Sequence, residues 1–211
     1  MMRCFMLAPA LLLLLGSACP ETAAAAAAAP VPPSRGPAEV AAAGGGGTSK
    51  CGRGVGDGKS QRPEDMQLLS GLGWWYDWGL SPQPSSSTTG SSQEFVAMAW
   101  GAHHKGEPLK KYLADWTPHP STKHLLGFNE PNLRHQSNLS AAAACALWPL
   151  AVAASKQHGL SLGSPAANHC TPGGSGSQDS NCFHAPMDWF DAFFAQPGCG
   201  TDTVDFIATH K

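Results

Sequence analysis

"LLGFNEPN", residues 125–132, is the stretch on which the reading of this chain turns. An apolar run ends abruptly at Asn129 and Glu130, and Pro131 follows at once. A segment composed for burial that delivers a carboxylate at its tip reads as a buried strand whose last residues emerge at a site. The sequence on either side supports that reading.

Working outward, further apolar runs occur at "LLSGLGWWYDW" (68–78), "FVAMAW" (95–100), "HLLGF" (124–128), "LSLGSPA" (160–166) and "VDFIAT" (204–209). Apart from some irregularity in the first, they lack strict polar/apolar alternation, which suits parallel strands buried on both faces. Helical candidates lie between them. Ser140 is a good N-cap for "AAAACALWPLAVAASKQH", and Gly159 stands where that helix should stop. Pro149 inside it should kink it. Pro186 opens "PMDWFDAFFAQ", in which Trp189, Phe190 and Phe193 repeat at helical spacing. "EPLKKYLADW" (107–116) is a third candidate.

Strands alternating with helices imply an α/β fold with a parallel sheet, open or closed into a barrel. No glycine-rich phosphate motif follows any strand, so nucleotide binding has no support. The first three strands end in "WYDW", "WGAHH" and "NEPN", and a barrel would bring such ends together on one face.

The 211 residues carry a formal net charge of -2 and no basic stripe, which argues against a nucleic-acid partner. Seven tryptophans against two tyrosines fit flat stacking surfaces for sugar rings, although core packing accounts for most Trp side chains. Residues 1–18 read as a secretory signal: Arg3, the apolar "LAPALLLLLG", and small residues up to Ala18. A lipoprotein-type signal ending at Cys19 ranks second. The apolar run is too short for a comfortable membrane span. Residues 19–50 collapse into Ala, Pro and Gly and form a linker, leaving 51–211 as the folded domain. With the signal removed, the chain is expected outside the cell or in its wall, as a monomer without a membrane span. Cys170 and Cys182 bracket a Gly/Ser-rich loop that a disulfide would staple. His169 and His184 beside them raise a metal site as the alternative, but no ligand-type spacing supports it. No metal and no cofactor are expected.

"GWWYDW", "FVAMAWG", "LLGFNEPN", "QSNLS", "LGSPA" and "VDFIATH", in this order, resemble the secreted glycosyl hydrolases of the alkali-sensitive-linkage type. These are grouped with glycoside hydrolase family 128, whose characterised members are endo-β-1,3-glucanases. The resemblance covers roughly residues 66–210. It implies a (β/α)8 TIM barrel, a β-glucan substrate and a retaining mechanism with two glutamates. Glu130 would be the general acid/base, a job suited to an apolar, aromatic setting. Asn129 would bond the sugar 2-hydroxyl. By pleat alternation, one pair of the residues closing the first strand points inward, and Trp75 or Tyr76, with Trp100, is the expected sugar platform. His210 also looks like a site residue. Asp77, Trp100, Glu130 and His210 are expected on one concave surface, with no tight Lys or Arg partner on Glu130.

The chain also departs from that pattern. In the family the nucleophile lies in a later block resembling "WLTEF". Of Glu21, Glu39, Glu64, Glu94, Glu107 and Glu130, only Glu130 ends a strand in the right context. Five strands stand against the eight strands and about 250 residues of a whole barrel. The expectation is therefore a barrel lacking its last strands, with the nucleophile absent from this chain and the fragment inactive alone. A non-catalytic carbohydrate-binding relative is the alternative. Asp77 stands where the family usually has asparagine, and is read as a substrate-contacting or loop-ordering residue ahead of a replacement carboxylate. Asn138-Leu139-Ser140 is a glycosylation sequon beside the catalytic loop.

Overall fold

The computed structural model describes residues 52–56, 71–82, 93–104 and 106–211. The expected signal, linker and Cys51 lie outside the described residues. The strands are short. They are β1 (Gly54–Gly56), β2 (Trp74–Tyr76), β3 (Glu94–Phe95), β4 (Ala97–Met98), β5 (His103–His104), β6 (Glu107–Pro108), β7 (His124–Leu126), β8 (Ser161–Leu162), β9 (Ala167–Asn168) and β10 (Thr209–His210). Three helices accompany them: α1 (Leu109–Ala114), α2 (Ala141–His158) and α3 (Pro186–Phe194).

The pairing runs in chain order. β1, β2 and β3 are parallel neighbours, as are β4, β7 and β8, and β9 pairs parallel with β10. Only Val96 separates β3 from β4, and its N–H reaches the Trp75 carbonyl at 2.8 Å, so one extended segment links two sheets. Parallel bridges at Asn129–Ala166 and Gly163–Phe206 continue the sequence of neighbours toward β10. Each of the five expected runs thus contributes parallel pairing. β5 and β6 form a small antiparallel hairpin before α1.

Alternation along the strands sorts their side chains into two buried clusters. Trp75, Phe95, Ala97 and Leu125 turn to one face, where Leu109, Leu113, Trp148, Trp189 and Phe193 of the helices cover them. Trp74, Tyr76, Val96, Met98, Leu126, Ala166 and Ala208 turn to the other and pack with Trp78, Trp100 and Phe206. Both faces are buried, which is why the strand sequences show no clean alternation. Gly127 is required where β7 meets the segment after β8, because a Cβ there would lie 2.6 Å from the Pro165 nitrogen.

The helices form where their caps dictate. Ser140 Oγ accepts the Ala143 N–H at 3.2 Å to start α2, and Gly159, at φ 65°, ends it in the left-handed conformation. The helix runs as one element through Pro149. Pro186 opens α3, as its fixed φ favours. α1 is shorter than its candidate stretch and has no side-chain cap bond. At the strand starts, Glu94 Oε1 meets His124 Nδ1 at 2.7 Å and accepts the Lys123 N–H at 3.0 Å, joining β3 to β7. Cys170–Cys182 closes the Gly/Ser-rich loop as expected, and Cys145–Cys199 ties α2 to the segment after α3. Among the described residues, no helix is long and apolar enough to cross a membrane.

Candidate active site

β7 ends in a sharp change of backbone direction. Asn129 is still paired, its N–H donating to the Trp100 carbonyl at 2.9 Å. Glu130 then adopts φ 44°, in the left-handed region. A non-glycine residue there carries strain that surrounding structure must hold. The holding bonds are the Glu130 N–H to the Ala166 carbonyl at 2.9 Å and the Leu133 N–H to the Glu130 carbonyl at 3.0 Å. Trp78 (φ 61°) and Asn138 (φ 49°) are the other described non-glycine residues with positive φ. Both lie beyond strand ends, in the segments that follow β2 and β7.

The Glu130 side chain is buried, with 7% of the residue exposed. Its Oε1 accepts a hydrogen bond from Asn168 Nδ2 at 3.0 Å and meets His210 Nδ1 at 3.0 Å. Asn168 and His210 are register partners across β9 and β10, so their pairing presents both side chains together. Among the described residues, no Lys or Arg pairs with Glu130, which matches the sequence expectation. Tyr76 lies close by. Burial, and then the negative charge of Glu130, push its phenol well above the usual tyrosine range.

Asn129 Nδ2 donates to Gln136 Oε1 at 2.9 Å, which fixes the amide's orientation. Its Oδ1 is buried without a hydrogen-bond partner, as are the Tyr76 hydroxyl and His210 Nε2. Buried polar atoms of this kind are costly and uncommon, and three on residues at or beside the carboxylate suit a ligand rich in hydroxyl groups.

The remaining sequence candidates divide. Tyr76 sits on the Glu130 side with Trp78, their ring centroids 4.7 Å apart. Trp100 is half-buried against the same cluster. Trp75 points the other way: its ring packs 4.9 Å from Phe95 in the helix-side core, and 2% of the residue is exposed. Strand alternation makes this unavoidable once Tyr76 faces the site, so the platform role narrows to Tyr76 with Trp100. Asp77 accepts the Gly79 N–H at 3.0 Å, and burial, followed by the charge of Asp77, raises the pKa of Tyr112 on α1. That is loop ordering toward the α1 side. Asn138 is exposed. The cavity described near α1, about 320 Å³, is lined by residues including Glu107, Tyr112 and Trp116 and does not include Glu130.

Sequence reasoning missed Asn168 and Asn132. Asn168 lies two residues beyond "LGSPA", and its same-face spacing from Ala166 was the available signal. Asn132 closes the quoted "NEPN" without a role assigned to it. In the structure it is fully buried and bonded to the Asn168 main chain.

The arrangement is a carboxylate held through one oxygen by two nitrogen groups, beside a neutral phenol and aromatic rings. It can deliver a proton to, and take one from, a bound ligand.

The glycosyl hydrolase catalytic core model matches residues 54–211. Among solved structures, the chain is similar to a subgroup II family 128 endo-β-1,3-glucanase from Sorangium cellulosum: 34% identity, TM-score 0.61, covering 75% of this chain and 59% of that one. A second subgroup II enzyme, from Pseudomonas viridiflava, gives 33% identity and TM-score 0.57 over 74% of this chain and 59% of that one. The chain therefore spans less than two thirds of the length of these relatives. No curated protein matches it.

Proposed function

This chain belongs to the glycosyl hydrolase catalytic core family, and from that premise we propose that it acts on β-1,3-glucan, with Glu130 as general acid/base. The observation that carries the proposal is the setting of Glu130: a strained backbone at a strand end and a buried carboxylate held by Asn168 and His210. Strain maintained by several hydrogen bonds at a strand tip is characteristic of functional sites.

In the proposed reaction Glu130 protonates the departing glycosidic oxygen and then takes a proton from the incoming water. The Asn129 amide and the Tyr76 hydroxyl receive sugar hydroxyls, and Trp100 provides a face for a ring. A retaining mechanism needs a second carboxylate about 5 Å away as nucleophile. The other described glutamates are committed elsewhere, Glu94 to His124 and Glu107 to Lys111. We therefore assign the nucleophile to none of the described glutamates. That same observation favours a second reading, carbohydrate binding without turnover by the chain as it stands.

A (β/α)8 barrel is the architecture we propose for the whole catalytic unit, supported by parallel strands that neighbour one another in chain order. We also propose secretion with signal cleavage near Ala18. Two disulfides among the described residues fit an oxidising compartment. Asn138, exposed and within a sequon, is the proposed glycan site.

Titration of the 211-residue protein with laminarihexaose tests the substrate class. Saturable binding, weakened by Trp100→Ala and by Tyr76→Phe, is expected, and equal affinity for cellohexaose would contradict the β-1,3 assignment.

A further inference from the structure

We propose that Asn132 is a positioning residue that, through Asn168, fixes which oxygen of Glu130 carries the catalytic proton; this rests on the acid/base role proposed for Glu130. Asn132 is fully buried, and its side chain is a two-way clamp. Its Oδ1 accepts the Asn168 N–H at 2.9 Å, while its Nδ2 donates to the Asn168 carbonyl at 2.9 Å. Both main-chain groups of one residue are thus held by one amide from 36 positions away. The same Nδ2 donates to the His184 carbonyl at 3.0 Å, and the Phe183 N–H returns to the Asn132 carbonyl at 3.1 Å. The segment after the Cys170–Cys182 loop is therefore fastened to the same point.

The consequence lies at Glu130. With the Asn168 main chain fixed, its Nδ2 can only donate, and it donates to Oε1. His210 Nδ1 meets that same oxygen. An ionised carboxylate oxygen only accepts, so beside it the His210 Nδ1 is a donor like Asn168 Nδ2, and the two together stabilise negative charge on Oε1 and make it the poorer site for a proton. Among the described residues no donor reaches Oε2, so Oε2 carries the proton that passes to the glycosidic oxygen. The Nδ1 of His210 is then the protonated ring nitrogen, and its buried Nε2 is a bare acceptor.

Nitrogen-15 NMR of the 211-residue protein with labelled histidine and tryptophan reads this without any activity, the His210 signal being assigned by its loss in His210→Gln. The expected result is a hydrogen-bonded Nδ1–H in the unaltered protein. In Asn132→Asp, whose new oxygen would face two carbonyls, that proton should shift upfield and exchange about tenfold faster, the effect of losing one charge-assisted bond. The indole N–H signals of Trp116 and Trp189, bonded to Leu80 and Leu139, should stay in place as controls of the fold. A protonated Nε2 in the unaltered protein, or an unchanged Nδ1–H in Asn132→Asp, overturns the proposal. Should Asn132→Asp collapse the indole signals, Asn168→Ala decides instead: faster exchange supports the proposal and an unchanged signal overturns it. Laminarihexaose added to the same sample separates the two readings, because a spectrum indifferent to it sinks the substrate assignment and leaves the proton placement standing.

Discussion

At the scale of single residues, the proposed chemistry rests on side chains whose partners come from distant parts of the chain. Glu130 and Asn129 were legible because an apolar run ending in Asn-Glu-Pro is a local pattern. Asn168 and Asn132 were not, since their importance lies in bonds across 36 positions or more that no local pattern announces. Trp75 and Tyr76 are adjacent and equally aromatic, and only the strand's phase separates the core ring from the site ring. Tyr76 gives a prediction with a definite sign. Its folded pKa is raised, so its contribution to stability is complete below the unfolded value of about 10 and is lost as pH rises above it. Melting temperatures taken across alkaline pH should fall more steeply for the unaltered protein than for Tyr76→Phe, and parallel curves would show that Tyr76 ionises alike in both states. The half-buried Asp179 carboxylate, held below its usual range by the Thr171 and Gly176 N–H groups, behaves oppositely. It orders the 171–181 loop above the unfolded aspartate pKa of about 3.9 and lets go in more acid solution. Asp179→Ala should speed proteolysis within that loop at neutral pH, and an unchanged cleavage rate would contradict the assignment.

Elements were read with uneven success, for physical reasons. α2 could be bounded at both ends because Ser140 and Gly159 act locally. Strand lengths could not, because a parallel strand ends where its neighbour stops pairing, which the strand's own residues do not encode. β1 escaped notice altogether: "GVG" at 54–56 has one apolar side chain, and it becomes a strand by pairing with β2. The disulfides show the same contrast. Cys170 and Cys182 are close in sequence and were foreseeable as a pair, whereas Cys145 and Cys199 stand 54 residues apart on elements brought together by packing. Closing a loop of that size stabilises by about 4 kcal/mol in the chain-entropy picture. Replacing both Cys145 and Cys199 with serine should lower the urea unfolding free energy by that order, and a change within about 0.5 kcal/mol would show that packing of α2 on α3 suffices without the link.

For the whole molecule, the sequence conveyed the alternation of strands and helices and the chain-order pairing of parallel neighbours. It conveyed the family through six motif blocks, and the match over residues 54–211 bears that out. The proposed chemistry needs two carboxylates, and the described residues offer only Glu130 in a suitable setting. The 211-residue protein should therefore release no reducing sugar from laminarin by itself, whereas release abolished by Glu130→Gln would place the second group within this chain. In a chain that also supplies the second carboxylate, Glu130→Ala should lose turnover while still binding laminari-oligosaccharides, since the nucleophile and subsites remain. Azide is small enough to enter the space left by the missing side chain and needs no general base. The most direct measurement is thus product analysis for Glu130→Ala given an aryl β-laminaribioside and azide. A β-configured laminaribiosyl azide, formed with recovered turnover, is the result expected of an acid/base on a retaining path; full turnover without azide, or an azide product of inverted configuration, would contradict it.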